Sequence, residues 1–216
     1  MLSIDAVLFD MDGLILDTEK VYNICWIAAA KDFGYNMTYE EQLLLRSNSA
    51  KYAGPLLKKM YGEDCDYFKI RERRKEIMAE YFKTHPIEKK PYVEHLLSFL
   101  KEKGIKCAVA TATALDRTTE YLEKVGLCGS FDEMISCSMV ENGKPDPDVY
   151  LYACDRLGLA PERCLALEDS PNGVLSAHRA GIPVIMVPDL TEPDEETKKL
   201  VYAVAKDLKE VEKYIA

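Results

Sequence analysis

The sequence predicts an α/β protein with a doubly wound parallel sheet and an inserted block of helices. After Pro91, short apolar segments alternate with helical segments, which is typical of parallel strands joined by crossover helices. Between residues 18 and 86 the pattern is helical and no strand pattern occurs. We therefore expect an α/β core formed by residues 1–16 and 88–216, and a separate all-helical domain formed by residues 17–87.

The predicted elements follow one another in a regular order. The first is a buried strand whose apolar run, residues 6–9, ends abruptly at Asp10. Thr18 is suited to cap the first inserted helix, and Gly34 is suited to end it. The other core elements are predicted as helices at 93–103, 115–124, 148–157 and 174–180, strands at 105–110, 134–135, 164–167 and 182–187, and a polar loop or short helix at 191–199.

Composition and charge exclude several classes of protein. Of the 216 residues, 48% are hydrophobic and 30% are charged, and the longest apolar runs are too short to cross a bilayer. A net charge of −9 argues against nonspecific binding to nucleic acid. No secretory signal is visible at the N-terminus. We therefore take a cytoplasmic enzyme with neither a nucleic-acid nor a membrane partner as the default. The oligomeric state is left open, with a monomer as the default.

The cysteines and histidines limit the kind of metal site that the chain can form. The seven cysteines include no Cys-x-x-Cys pair, which favours reduced, apolar cysteines over a disulfide framework or a zinc site. The chain has only three histidines. A bound metal would therefore have to be held mainly by oxygen.

Two aspartates, Asp10 and Asp12, follow the first buried strand. Ligands of open parallel sheets bind beyond the carboxyl ends of the strands, and residues i and i+2 of an extended chain point to the same side. One carboxylate could act as a nucleophile while the other transfers protons. The Asp-x-Asp spacing alone is a weak signal, because it recurs at residues 64–66 and 146–148. Those two pairs lie in polar or Pro-rich surroundings, and we interpret their side chains as solvated or as helix caps.

Two further segments carry groups that suit a phosphate. Thr111, Ala112 and Thr113 end a predicted strand just before a helix, where a hydroxyl and free N–H groups can hold an anion. Taken singly, this segment favours an ordinary N-cap. Lys144 lies in the stiff turn at 143–148, which contains one glycine and two prolines. A rigidly held ammonium there suits a phosphate, and the alternative is an exposed loop lysine.

Adjacent acids, Glu168 and Asp169, end the strand predicted at 164–167. Acids directly after an apolar strand are costly unless a positive group meets them, and a hard divalent cation such as Mg²⁺ is one such group. The alternative is helix capping by Asp169 or Ser170. Each of these signals is modest alone, but their order along the chain and their position at strand ends make chance an unsatisfactory explanation.

This ordered set of residues resembles the haloacid dehalogenase superfamily, over the whole chain. The matching positions, in the order of the four superfamily motifs, are Phe9-Asp10-Met11-Asp12-Gly13 with Asp17-Thr18, then Thr111, then Lys144, and last Glu168-Asp169. The helical block is similar to the cap domain of the subfamily that contains beta-phosphoglucomutases and many small phosphatases. The resemblance therefore implies a Rossmann-like core with an inserted all-helical cap domain.

The resemblance also implies a mechanism and a cofactor. It makes Asp10 the nucleophile, which becomes a transient aspartyl phosphate, and it makes Asp12 the acid and base. It assigns Mg²⁺ to Asp10, the main-chain carbonyl of Asp12 and Asp169, with Glu168 holding the ion directly or through water. The implied activity is magnesium-dependent phosphoryl transfer to or from small phosphomonoesters, with sugar phosphates as the leading substrate class.

Phosphate and substrate contacts are implied at both sides of the site. On the core side the resemblance gives Thr111, Ala112 and Lys144 to the phosphoryl group. In the helical block, the charged run at 71–75 could supply a cation to a substrate phosphate, and we choose Arg73. The alternative for this run is a solvated helix face with pairs along the helix.

Hydrolysis is favoured over the mutase reaction, because the chain differs from the beta-phosphoglucomutase pattern at two positions. Beta-phosphoglucomutases carry a histidine in the first cap helix, where this chain has Tyr22, and a cap arginine, which the segment at 47–51 lacks. Asp12 argues against dehalogenation. A phosphorylation-receiving signalling domain is disfavoured too, because such domains lack a helical insertion and carry their acidic pair before the accepting aspartate.

Overall fold

The computed structural model describes all 216 residues and contains one parallel sheet of six strands in the order β3-β2-β1-β4-β5-β6. The strands are β1 Ala6–Phe9, β2 Lys106–Thr111, β3 Glu133–Ser136, β4 Cys164–Glu168, β5 Val184–Met186 and β6 Ala203–Val204. The helices are α1 Glu19–Asp32, α2 Tyr39–Leu43, α3 Ala50–Tyr61, α4 Tyr67–Thr84, α5 Val93–Glu102, α6 Leu115–Lys124, α7 Asp148–Leu157, α8 Pro171–Arg179 and α9 Glu195–Leu200. The predicted fold class is confirmed.

Both faces of the sheet are covered by helices. Along β1, Val7 and Phe9 belong to one apolar cluster, whereas Ala6 and Leu8 belong to the other, because successive side chains of a strand alternate between faces. Burial on both faces explains why β1 is apolar at every position.

The register of the central strands gathers their carboxyl ends at one edge. Phe9 lies opposite Val109 of β2 and opposite Leu167 of β4. The residues that follow these positions therefore leave the sheet side by side, at the point where the strand order reverses.

Helices α1 to α4 form the inserted block between β1 and α5. The chain enters and leaves this block through two adjacent segments, in which Asp17 N donates to Glu88 O at 2.9 Å and Lys90 N donates to Ile15 O at 2.8 Å. The predicted boundaries at residues 17 and 87 fall beside this pair of connections. None of the helices is long and apolar enough to span a membrane.

Three elements differ from the prediction in an informative way. Helix α8 begins at Pro171, three residues early, because the Ser170 side chain accepts from Gly173 N and a proline suits the first helical turn. Strand β6 was not predicted, because two residues carry no periodic pattern. Thr18 does occupy the N-cap of α1, but its side chain makes no capping hydrogen bond.

Candidate active site

Three carboxylates converge at the carboxyl edge of the sheet. Asp10 follows β1, Glu168 ends β4 and Asp169 follows it, and one oxygen of each lies within 4.8 Å of the others. All three residues are buried. Glu168 Oε2 and Asp169 Oδ1 have no hydrogen-bond partner, and unpaired buried carboxylate oxygens are costly. A hard cation with oxygen ligands fits this donor set, because it would give the unpaired oxygens a partner.

Lys144 is fully buried beside these acids. Its Nζ lies 2.6 Å from Asp10 Oδ1 and 2.6 Å from Glu168 Oε1. Burial alone would lower the pKa of Lys144, but the carboxylates of Asp10 and Glu168 outweigh burial and hold that pKa well above its ordinary value. The lysine is therefore a fixed positive charge at the sheet edge, as predicted, and not an exposed loop residue.

Burial also changes the acids themselves. It raises the pKa of Glu168 to about 7, against the opposing effect of Lys144. It raises the pKa of Asp169 well above its ordinary value, against the opposing effect of Arg46. Removing a carboxylate from water disfavours its charged form. Without a cation, the cluster therefore tends to take up protons near neutral pH.

Asp12 is held by hydroxyl groups on both of its oxygens. Thr18 Oγ1 donates to Oδ1 at 2.5 Å, and Thr113 Oγ1 donates to Oδ2 at 2.7 Å. The Tyr22 hydroxyl lies 3.1 Å from Thr113 Oγ1 and extends this chain into α1. Burial raises the pKa of Asp12 to about 6, and the bond from Thr18 opposes that rise. Asp12 can therefore change protonation state near neutral pH.

Two glycines let the acids lie close to the backbone. Gly13 has φ +89°, and a Cβ there would overlap the Asp169 carboxylate. Gly173, in the first turn of α8, faces Glu168 in the same way. Both positions exclude a side chain for lack of space, and at Gly13 the backbone conformation also favours glycine.

A cavity of about 100 Å³ lies between the helical block and this edge of the sheet. Of the residues predicted from the sequence, Asp10, Asp12, Thr111 and Ala112 line it. Thr111 is buried, and its Oγ1 accepts from Thr113 N at 3.0 Å. Trp26 belongs to the apolar cluster that the helical block shares with one face of the sheet, and it also lines the cavity.

Arg73 does not reach this cavity, and its prediction as a substrate contact is corrected. Its guanidinium lies on the outer face of α4, where it pairs with Asp32 at 2.7 Å and with Glu76 at 2.9 Å. Residues three and four apart share a helix face, so Arg71, Arg74 and Lys75 point inward together and line the cavity instead. The helical period of the charged run was the signal that could have separated these two sets.

Arg46 is the main site residue that the sequence did not predict. It follows α2, and its buried guanidinium pairs with Asp169 and lies 3.3 Å from Glu19 Oε2. It also donates to Thr191 Oγ1 at 3.1 Å. Burial raises the pKa of Glu19 to about 8, against the opposing effect of Arg46. No local pattern marks Arg46, because its contacts depend on how the helical block docks on the core.

The fold and the site together define a class of protein: an α/β enzyme that presents clustered carboxylates and a buried lysine beneath a helical insertion. Residues 7–187 match the family model of the haloacid dehalogenase-like hydrolases. The chain belongs to this family.

Named relatives and solved structures agree with this assignment. The chain is 34% identical to the phosphorylated carbohydrates phosphatase of Thermotoga maritima over 82% of each chain. It is 32% identical to a probable pseudouridine-5'-phosphatase of Drosophila melanogaster, over 91% of this chain and 87% of the other. The crystal structure of CbbY from Rhodobacter sphaeroides in complex with phosphate superimposes with a TM-score of 0.80 at 27% identity, over 96% of each chain. The chain is thus an enzyme of a family in which both of these sequence relatives are named as phosphatases.

Proposed function

We propose that this protein is a magnesium-dependent phosphatase of small phosphomonoesters, with sugar phosphates as the leading class, and that it acts through a phosphorylated Asp10. One observation carries the proposal: Lys144 binds Asp10 beside two buried acids that each have an unpaired oxygen, and one oxygen of each of the three acids lies within 4.8 Å of the others. The Thermotoga maritima phosphatase, which is named for phosphorylated carbohydrates, supports the substrate class.

The first step is attack of Asp10 on the substrate phosphorus. Lys144 engages Oδ1 of Asp10, which leaves Oδ2 to form the new bond to phosphorus while the bond to the leaving oxygen breaks. That leaving oxygen takes a proton from Asp12. The pKa of about 6 that burial gives Asp12 keeps its protonated form accessible.

The second step returns the enzyme to its starting state. Asp12, now ionised, accepts a proton from water, and the resulting hydroxide attacks the phosphorus of the aspartyl phosphate. The bond between Asp10 and phosphorus breaks, and inorganic phosphate leaves. Asp12 thus alternates between acid and base, which a residue held by two neutral hydroxyl donors can do.

Phosphoryl transfer depends chiefly on positioning and on neutralising charge. Lys144 and the N–H groups of the segment that contains Thr111 and Ala112 would receive the phosphoryl oxygens. Mg²⁺ held by Asp10, Glu168, Asp169 and the main-chain carbonyl of Asp12 would neutralise the charge of the transferring group.

Hydrolysis is preferred to a mutase reaction because of what contacts Asp12. The side chain of α1 nearest to this acid network is Tyr22, which reaches Asp12 only through Thr113. A phenol at this place offers no group that titrates near neutral pH. We infer that water, rather than a returning sugar hydroxyl, accepts the phosphoryl group.

The test is a phosphate-release assay over a panel of phosphomonoesters, with and without Mg²⁺, that includes both anomers of glucose 1-phosphate. We expect release only with Mg²⁺, and we expect Asp10→Asn to lower it by at least about 10³-fold, because it removes the nucleophile. Asp64→Asn is the matched control, since Asp64 has the same spacing in the chain but does not line the cavity, and it should keep full activity. Full magnesium-dependent turnover by Asp10→Asn would contradict the covalent mechanism.

A further inference from the structure

Arg46 connects the helical block to the part of the core that carries Asp169. Its three guanidinium nitrogens meet three different elements. Nε lies 3.3 Å from Glu19 Oε2 at the start of α1, Nη2 pairs with Asp169 after β4, and Nη1 donates to Thr191 Oγ1 at 3.1 Å after β5. The residue is 4% exposed. A buried guanidinium with a polar partner near each nitrogen is fixed in one orientation, because its planar group cannot turn without losing them.

Neighbouring groups strengthen this connection. The carbonyl of Arg46 accepts a hydrogen bond from Asn172 Nδ2 at 2.9 Å, and the Ser170 hydroxyl donates to Ser47 Oγ at 2.8 Å. Ser47 has φ +53°, a left-handed conformation that residues other than glycine adopt at a cost. This part of the helical block is therefore held against the core segment that begins at Asp169.

The two carboxylate oxygens of Asp169 have different surroundings. Oδ2 pairs with Arg46 and lies against Gly13, where an added Cβ would overlap it. Oδ1 is buried and has no hydrogen-bond partner. Arg46 thus occupies one oxygen of the carboxylate and leaves the other for a cation.

We propose that Arg46 is a positioning residue for the metal. By holding Asp169 Oδ2 it directs Oδ1 to Mg²⁺, and because Arg46 belongs to the helical block, it couples Mg²⁺ binding to the docking of that block on the core. This inference rests on the magnesium site of the proposed function. Loss of the groups that orient a metal ligand costs roughly 10- to 100-fold in metal affinity. Coupling is reciprocal, so Mg²⁺ must stabilise the docked state by the same factor by which docking strengthens Mg²⁺ binding.

Calorimetric titration with Mg²⁺, in the absence of substrate, tests the positioning role. Arg46→Lys keeps the positive charge but cannot contact Asp169, Glu19 and Thr191 together, so we expect the Mg²⁺ affinity to fall by about tenfold or more. Arg73→Lys, on the outer face of α4, is the matched control and should keep the affinity. Thr191→Val removes only the acceptor of the bond from Nη1. It should lower the affinity by about two- to fivefold, and it carries the test if Arg46→Lys does not fold.

Hydrogen exchange followed by NMR tests the coupling. The Ser49 amide donates to Lys144 O at 2.9 Å and so joins the helical block to the core, whereas the Gly62 amide donates to Lys58 O at 2.8 Å at the end of α3. In the unmodified protein, saturating Mg²⁺ should slow exchange at Ser49 by about tenfold and leave exchange at Gly62 unchanged. In Arg46→Lys, most of the effect at Ser49 should be lost.

The outcomes separate this inference from the proposed function. Absence of Mg²⁺ binding by the unmodified protein would overturn both. Unchanged Mg²⁺ affinity in whichever of Arg46→Lys and Thr191→Val fold would overturn the inference alone, even if their Tm is lower, because a purely structural role predicts lost stability without lost affinity. Equal slowing at Ser49 in the unmodified protein and in a variant with weakened Mg²⁺ binding would overturn the coupling to docking.

Discussion

Asp12 takes its hydrogen bonds from two different parts of the chain. Thr18 stands at the start of the helical block, and Thr113 follows β2 of the core. Since the Thr113 hydroxyl donates its one proton to Asp12, the Tyr22 hydroxyl must donate to Thr113. The orientation of the proposed acid and base therefore depends on contacts that form only when α1 lies against the core.

We expect Tyr22→Phe to lower kcat by about tenfold while preserving the fold, because it removes one hydrogen bond from this chain. Weaker donation from Thr113 should raise the apparent pKa of Asp12, so the pH dependence of kcat should move upward. Steady-state kinetics as a function of pH measure both effects.

Tyr61→Phe is the control for this prediction. It removes a comparable bond, from Tyr61 to Glu41 at 2.7 Å, within the helical block and outside the cavity. A Tyr22→Phe variant with the same pH profile as Tyr61→Phe would contradict the relay from Tyr22 to Asp12.

The site residues that the sequence predicted share one property: each belongs to a short local pattern. Asp10 and Glu168 follow apolar runs, and parallel strands bring such ends together. Arg46 lies in no such pattern. Its contacts with Glu19, Asp169 and Thr191 depend on the docking of the helical block on the core, which no local periodicity encodes.

At the scale of elements, strong periodicity and turn residues made it possible to predict most helices and strands of the core from the sequence. The predicted bounds of α6 and α7 agree with the structure at both ends, because Gly126 and Gly158 end them in left-handed conformations. The bounds of β5 were predicted too wide, since apolar residues continue past the last pairing with its neighbours. Helix α8 was predicted too short, because its first turn holds the polar cap and not apolar residues.

Helix α8 makes a second prediction possible. Ala has a higher helix propensity than Gly by about 1 kcal/mol, so Gly→Ala inside a helix normally stabilises. At Gly173, however, the added Cβ would overlap the Glu168 carboxylate. We expect Gly173→Ala to displace Glu168 and to weaken Mg²⁺ binding by about tenfold or more, the range for loss of support to a metal ligand. Calorimetric titration with Mg²⁺ measures the change.

Gly54→Ala is the matched control in α3. An added Cβ there lies 3.8 Å from its nearest neighbour, Tyr67 Cβ, which is ordinary contact. This variant should keep the Mg²⁺ affinity of the unmodified protein. Equal affinities for the two variants would show that the close approach of α8 to Glu168 has no role in metal binding.

At the scale of the whole molecule, residues 46–52 are one segment through which the helical block docks on the core. Within it, Ser49 N donates to Lys144 O at 2.9 Å, and the Tyr52 hydroxyl lies 2.9 Å from Asp146 Oδ2. Lys51 lies 3.0 Å from the same carboxylate. Residues 47–51 of this segment lack the arginine of the mutase pattern, and Ser49 contacts the turn that carries the buried lysine.

Docking also encloses the acids, and this makes stability depend on pH. Glu168 has an ordinary pKa of 4.5 that burial raises to about 7 in the folded protein. The folded state therefore binds a proton that the unfolded state has released, so the stability from this group is complete below about pH 4.5 and is lost as the pH rises through about 7. We expect the metal-free protein to become less stable across this interval.

Mg²⁺ should reverse that trend, because it binds the ionised carboxylates and must displace their protons. We expect the increase in Tm caused by Mg²⁺ to be larger at about pH 8 than at about pH 5.5. Thermal unfolding followed by circular dichroism measures it. In Glu168→Gln the dependence should flatten, since the titrating group is gone. An Mg²⁺ effect that is equal at both pH values would mean that these acids do not hold the ion.

The phosphorylation of Asp10 is tested most directly in Asp12→Ala with p-nitrophenyl phosphate, whose leaving group needs no proton from Asp12, so that the variant forms the intermediate but lacks the base needed to hydrolyse it. The protein is mixed with Mg²⁺ and p-nitrophenyl phosphate, quenched within the first turnover and analysed by peptide mass spectrometry. We predict one phosphoryl group on the peptide that contains Asp10, and none when Asp10→Asn is added to the same variant. A phosphoryl group on another residue, or its absence while the unmodified protein turns over that substrate, would contradict the account.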